Sequence, residues 1–399
     1  MNAPLKNFNF RSFILSDIFG FSGWALSDVL MSWYIFNETN STTYVGVVLF
    51  IPSLFLLFLG PLGGKFADKY SRKLLLIIGK VVNLILFLLI AILINLDFNG
   101  LIFVVMCFSI VGAQEALTAS SVRNLLADIV GLKNLTTGTS ILEAGNSFIY
   151  FISPLIVSFL ILIFQFKSLF WGIPMVYTLS TIFALLLFIN FKKLEIRPQS
   201  DSSVFDGLKY SWNEKNLRIL LFLTTTLFFW GITHPLIPKI ARDVLEIGGS
   251  GFALLVASEG LGWFIGSVMI YFLPSFFKNS KSLVLCTLGY SIFMIFFSLS
   301  TVPILSMFFL LISGIFHVIW WTMIIVFLQT LSAEKYKGRV MGLFFTLITF
   351  DGFGFLIGGW SGENIGIKIT IIIASVATFF IHILVYTSSY NFRILNSKV

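Results

Sequence analysis

Charge is what this sequence has least of. Of 399 residues, 11% are Asp, Glu, Lys or Arg, against roughly a quarter in a soluble domain. With 57% hydrophobic residues and a mean hydropathy of +0.97, the chain lacks the polar surface to be soluble alone. Cysteine is scarce too. Cys107 and Cys286 both fall inside apolar runs, which argues against a disulfide framework or a cysteine metal site. His234, His317 and His382 are scattered over separate runs and form no metal-ligand spacing. HExxH, GxSxG and P-loop patterns are missing, so the sequence points neither to a membrane-embedded hydrolase nor to an ATP-driven pump. No cofactor is expected. The opening residues MNAPLKNFNFRSF lack a signal-cleavage pattern, so the first apolar run is expected to stay as a span.

Long apolar runs are what the chain has instead. An α-helix needs about 20 residues to cross a hydrocarbon layer of about 30 Å. Lipid offers the backbone no hydrogen bonds, so such runs must be helices, and the period-2 alternation of a membrane barrel is missing. Twelve spans are read at about 11–36, 44–64, 74–94, 101–124, 138–163, 169–191, 217–238, 251–274, 282–300, 303–330, 339–361 and 366–388. The 47 phenylalanines accompany frequent Ile, Asn and Lys and read more simply as codon bias than as an aromatic binding surface. Most loops are short. Residues 192–216 are polar and split the spans six and six. The organisation expected is residues 1–191 as one six-helix bundle, 192–216 as a linker loop and 217–399 as a second bundle. A shift of 208 residues lays Glu143 on Asp351 and Ser153 on Ser361, as two six-helix repeats would.

Basic residues orient the chain. With the N-terminus inside, the inner side holds Lys6, Arg11, the Lys65–Lys73 cluster, Arg123, Lys133, the basic residues of 192–216, Lys278, Lys281, Lys335, Lys337, Arg339, Arg393 and Lys398. The outer side holds only Lys167, Lys239, Arg242 and Lys368, and Lys80 falls within a span. N-in, C-in topology accounts for most of the net charge of +8, so no nucleic-acid partner is expected.

Residues 64–73, GKFADKYSRK, lie between spans two and three. Gly, three residues, Asp, a base, two residues and two further bases resemble the corresponding loop of the major facilitator superfamily, with Ser71 where that pattern usually has Gly. The resemblance extends over essentially the whole chain. It implies an all-α integral membrane fold of twelve transmembrane helices in two pseudo-symmetric bundles. It also implies a gating role for Gly64, Asp68, Arg72 and Lys73. Asp68 would dock on the start of helix eleven, here Gly338–Gly342, where free N–H groups favour an anion. Otherwise the cluster's charges serve topology alone. ADIVGLKNLTTGTSILEA and EKYKGRVMGL look like the bacterial branch of siderophore, macrolide and multidrug exporters. Two features depart from drug–proton antiporters. The span-four Arg would fall near Phe108, and the Gly-Pro-Gly-Gly pattern is reduced to SPLIVS around Pro154.

Ionisable groups inside spans are costly and therefore candidates for function. Asp17 and Asp28 are eleven residues apart, about three turns, and point to one side of span one. Asp28, about 7 Å from the span's centre, is the leading proton or cation site; a neutral, hydrogen-bonded acid is the alternative. Glu115 sits at mid-depth in span four on a small, polar face. Arg123, nearer the cytoplasm, is a candidate for a structural ion pair with Asp17 or Glu143. Glu259 and Asp351 lie near mid-depth in spans eight and eleven. His317 in span ten titrates near physiological pH or simply packs. Pro235 and Pro238 can bend span seven or end it.

The resemblance implies a monomeric secondary transporter in the bacterial cytoplasmic membrane, exporting an amphipathic organic solute, with protons or another ion as the coupling partner. An importer or facilitator of a small nutrient is the alternative.

Overall fold

The computed structural model describes residues 3–96, 100–131, 134–188, 204–273, 277, 279–333 and 336–395. Among the described residues, twelve helices are long and apolar enough to cross a membrane. The first six are Phe8–Thr39, Thr42–Lys69, Arg72–Asn95, Leu101–Val130, Leu135–Ile161 and Phe166–Leu185. The others are Lys215–Val244, Gly248–Phe272, Ser280–Leu299, Pro303–Leu331, Lys337–Asn364 and Ile367–Ser388. They are called spans one to twelve below. The chain divides into two compact units, 1–34 with 51–197, and 35–50 with 198–399.

In the first unit, Phe10, Phe13, Leu76, Leu125, Leu126 and Ala184 build a core that ties together spans one, three, four and six. Span two packs on span four where Gly63 sits. A Cβ there would lie 2.7 Å from the carbonyl oxygens of Ala116 and Leu117, so only glycine allows that approach. Ser71 caps span three and accepts from Leu74 N at 3.3 Å. The basic cluster of the sequence is partly structural. Arg72 pairs with Asp128 through Nη1, at 2.8 Å to Oδ1 and 2.7 Å to Oδ2. Lys73 Nζ donates to the carbonyl of Leu187, filling an acceptor that the end of span six leaves open.

The second unit centres on Leu217, Leu220, Leu283, Ile324, Phe327 and Phe344, from spans seven, nine, ten and eleven. Span seven is not one continuous α-helix. Leu227–Thr233 is α-helical, His234–Leu236 form a 3₁₀ turn, Ile237–Lys239 return to α-helix, and Ile240–Val244 form a π turn. Pro235 and Pro238 remove two amide donors from this stretch, which accounts for the interruption. The segment 192–216 is not simply a loop, because Val204–Asn213 is helical. Tyr210 anchors it by stacking on Tyr336 at 4.3 Å and accepting from Ala333 N at 3.0 Å. Residues 192–203 lie outside the described residues.

The turn between spans one and two also belongs to the second unit. Gly46 and Gly359 let it lie directly on span eleven: a Cβ at Gly359 would meet the Thr42 carbonyl oxygen at 2.4 Å. Thr42 Oγ1 donates to Gly359 O at 2.7 Å. One oxygen of Glu363 accepts from Ser41 Oγ at 2.7 Å, from Thr43 N at 3.2 Å and from Thr43 Oγ1. Arg242 donates to Asn40 and lies 4.2 Å over the Phe36 ring.

Candidate functional site

A cavity of about 400 Å³ opens inside the first unit, a size suited to a small organic ligand. Span one lines it with Asp17, Gly20, Phe21 and Trp24, the i, i+3, i+4, i+7 face of a helix. Span three adds Leu76, Gly79, Lys80 and Asn83, again one face. Span four contributes Gln114, Glu115, Thr118, Ala119 and Val122, span five Leu142, Glu143 and Asn146, and span six Tyr177.

Among the described residues, the polar groups are arranged around one cation, Lys80. Lys80 Nζ lies against Gly20, where a Cβ would be 2.1 Å away. Its charge acts on both Asp17 and Glu115, and among the described residues it closes a direct ion pair with neither. Asn83 Nδ2 donates to Glu115 Oε1 at 3.2 Å, Asn146 Nδ2 reaches Asp17 Oδ2 at 3.5 Å, and Gln114 Nε2 donates to Thr118 Oγ1 at 2.9 Å. With their NH2 groups committed, Asn83 Oδ1, Gln114 Oε1 and Asn146 Oδ1 are buried with no hydrogen-bond partner among the described residues. Trp24, Phe21 and Tyr177 supply apolar faces, and Tyr177 is fixed by stacking on Phe87 at 5.4 Å.

The second unit holds a smaller cavity of about 30 Å³, lined by residues including Trp230, Tyr290, His317, Trp320 and His382. It has room for about one water. His317 is boxed by Trp263 at 5.0 Å, Trp230 at 5.1 Å and Tyr290 at 5.7 Å between ring centroids. Glu259, 4% exposed, accepts from Trp230 Nε1 at 3.2 Å. His382 Nδ1 lies 2.9 Å from Thr378 O.

The family model described as Major Facilitator Superfamily matches residues 13–350. The chain belongs to the major facilitator superfamily. No curated protein sequence matches it. Solved structures with this fold include the nucleoside transporter NupG (14% identity, TM-score 0.74, 95% of this chain and 99% of that one). A D-xylose–proton symporter matches at 13% identity and TM-score 0.75, over 99% of both chains. The E. coli fucose–proton symporter FucP matches at 16% and 0.64, over 95% of this chain and 98% of that one.

Within this superfamily member, the residues singled out from sequence scatter. Asp17, Glu115 and Glu143 line the large cavity. Asp28 is half-buried on span one, engaged in a contact of its own, and does not line it. His317 and Glu259 belong to the aromatic cluster of the second unit. Asp351 is half-buried, and its Oδ1 accepts from Gly352 N at 2.6 Å. The side chains of Asp68 and Arg123, and Gly64 beyond its helical backbone, lie outside the described residues. Arg72, read as part of the gating motif, reaches Asp128 on span four through Nη1 alone. Lys80, Asn83, Gln114 and Asn146 were not read as site residues. For Lys80 the available signal was spacing: Leu76, Lys80 and Asn83 repeat at i, i+4, i+7 with a charge at the centre.

Proposed function

We propose that this major facilitator superfamily transporter is a proton-coupled exporter of an amphipathic organic solute, with the cavity of the first unit as its solute site. One observation carries the reading: Asp17, Lys80 and Glu115, three ionisable groups inside membrane spans, meet in a single cavity with aromatic walls. Charges at that depth persist when a ligand, water or a partner repays their desolvation. The working unit is a monomer in a bacterial cytoplasmic membrane, with both termini on the cytoplasmic side. Residues 1–191 and 217–399 rock as two bundles, and the Asp68 loop helps to close the cytoplasmic side. Proton binding at the cavity acids biases one state, because a ligand shifts an equilibrium only by its differential affinity.

The test is transport by the reconstituted protein under an imposed pH gradient, with macrolide, siderophore and dye probes. The expected result is proton-driven uptake into inverted vesicles that Glu115→Gln abolishes without loss of folded protein. Proton-independent uptake by both proteins would overturn the coupling. The importer alternative draws support from the sugar–proton symporters that share the fold. Accumulation in intact cells, rather than extrusion, would establish it.

A further inference from the structure

We propose that the small cavity of the second unit is a binding site for one water molecule, which bridges Trp320 and His382 and ties spans seven, nine, ten and twelve together. Trp320 is 6% exposed and His382 1%, and both line the cavity. Trp320 Nε1 and His382 Nε2 are buried with no hydrogen-bond partner among the described residues. A buried polar group left in that condition costs about 1–3 kcal/mol. The two atoms are complementary. An indole N–H only donates. His382 Nδ1 lies 2.9 Å from the Thr378 carbonyl oxygen. That oxygen only accepts, so Nδ1 carries the hydrogen and Nε2 of the neutral ring is an acceptor. The two rings stand 6.0 Å apart between centroids and make no direct hydrogen bond. Two hydrogen bonds of about 2.9 Å through a shared oxygen cross such a gap.

The rest of the wall narrows the ligand to water. Thr226, Thr287 and Thr378 also line the cavity. Each hydroxyl donates within its own helix, to the carbonyls of Leu223 at 2.6 Å, Leu283 at 3.2 Å and Ala374 at 2.9 Å. Their oxygens keep lone pairs and have no hydrogen to offer. Trp230 Nε1 is committed to Glu259 at 3.2 Å. Of the lining groups whose roles are thus fixed, Trp320 donates, while His382 and the three threonines accept. Tyr290 and His317, whose hydrogens can sit either way, complete the polar lining. An ammonium brings donors only and would set N–H against the N–H of Trp320. An anion brings acceptors only and would meet His382 Nε2 lone pair to lone pair. Water does both. It accepts from Trp320, gives one hydrogen to His382 Nε2 and the other to a threonine oxygen. About three such partners are usual for a buried water, and a cavity of about 30 Å³ holds about one molecule. Thr226 also stands where the α-helix of span seven is interrupted: the amides of Thr225 and Thr226 bond three residues back, to Phe222 and Leu223. The bridge therefore reaches a joint in span seven as well as the regular helices of spans nine, ten and twelve.

The experiment is proton-detected solid-state NMR on the full chain in lipid vesicles, with isotope-labelled nitrogen and signals assigned through the backbone, so that the first reading needs no variant. Magnetisation transferred from water is expected at Trp320 Nε1–H, as it is at Trp212, which is exposed and serves as the control. His382 is expected to show a protonated Nδ1 and a bare Nε2 that accepts a hydrogen bond. A water signal at Trp212 with none at Trp320 would overturn the proposal. So would a hydrogen on His382 Nε2, or a coupling that passes directly from the Trp320 N–H to His382. Thermal melting gives a second reading. Trp320→Phe and His382→Phe each remove the same bridge, so the double variant should melt well above the midpoint obtained by adding the two single shifts. Shifts that simply add would mean that no bridge joins the two side chains.

Discussion

Replacing Gly359 with alanine measures how tightly the turn between spans one and two is held on span eleven. The new Cβ would stand 2.4 Å from the Thr42 carbonyl oxygen and 3.2 Å from the Gly46 Cα. Both are backbone atoms, so no side-chain rotation relieves the overlap. Ordinary contact requires the two segments to part by about 1 Å. That lengthens the 2.7 Å bond from Thr42 Oγ1 to Gly359 O and the bonds of Ser41 and Thr43 to Glu363. A neutral hydrogen bond is worth about 1 kcal/mol net, and Glu363 is exposed, so its bonds count at the low end. The loss comes to about 2–3 kcal/mol. Alanine regains about 1 kcal/mol of helix propensity over glycine. The net, about 1–2 kcal/mol, is about a five- to thirtyfold rise in local opening. Val45, 1% exposed, is a suitable reporter as Val45→Cys, with Cys107 and Cys286 replaced by serine. The maleimide labelling rate should rise by that factor in the Gly359→Ala background. A change of less than about twofold would refute the reasoning.

Two further outcomes follow from the first unit. Arg72→Ala should destabilise the purified protein by about 1–2 kcal/mol, because Arg72 and Asp128 are only 29% and 18% exposed; a double-mutant cycle with Asp128→Ala in denaturation experiments checks this, and zero coupling would refute it. Lys73→Met should lower the thermal midpoint by about 2–4 °C by leaving the Leu187 carbonyl without its donor, with Lys73→Arg retaining most of the stability; equal midpoints for all three proteins would show that this bond contributes nothing.

The helices were legible because hydropathy and lipid dictate them directly. Their positions were read to within six residues, the largest differences being at the ends of spans four, six and seven, which fall at Val130, Leu185 and Val244 against 124, 191 and 238. The candidate site was legible in part. Asp17 and Glu115 stand out as acids within apolar runs, and both line the cavity. Asp28 stood out for the same reason and does not. It shares a side of the helix with Asp17, but eleven residues is about 16 Å of rise, and the lining of span one stops at Trp24. Facing direction is periodic and can be read; where a cavity ends depends on the packing of other spans. Lys80 was set aside as an exception to the charge pattern of the loops, yet it organises the site. Asn83, Gln114 and Asn146 carry no charge to draw notice, and their role emerges only when each amide's partners are known.

The seating of the turn at residues 40–43 has a consequence for biosynthesis. Its acceptors, Gly359 and Glu363, lie 317 and 322 residues further along the chain. A ribosome adding about 5–20 residues per second exposes Ser41 and Thr42 for roughly 15–65 s before those acceptors have been translated. During that time the hydroxyls can satisfy themselves only with water or with their own helix ends. Maturation of this corner is therefore among the last events in the life of the nascent polypeptide, whatever the order in which its helices enter the bilayer.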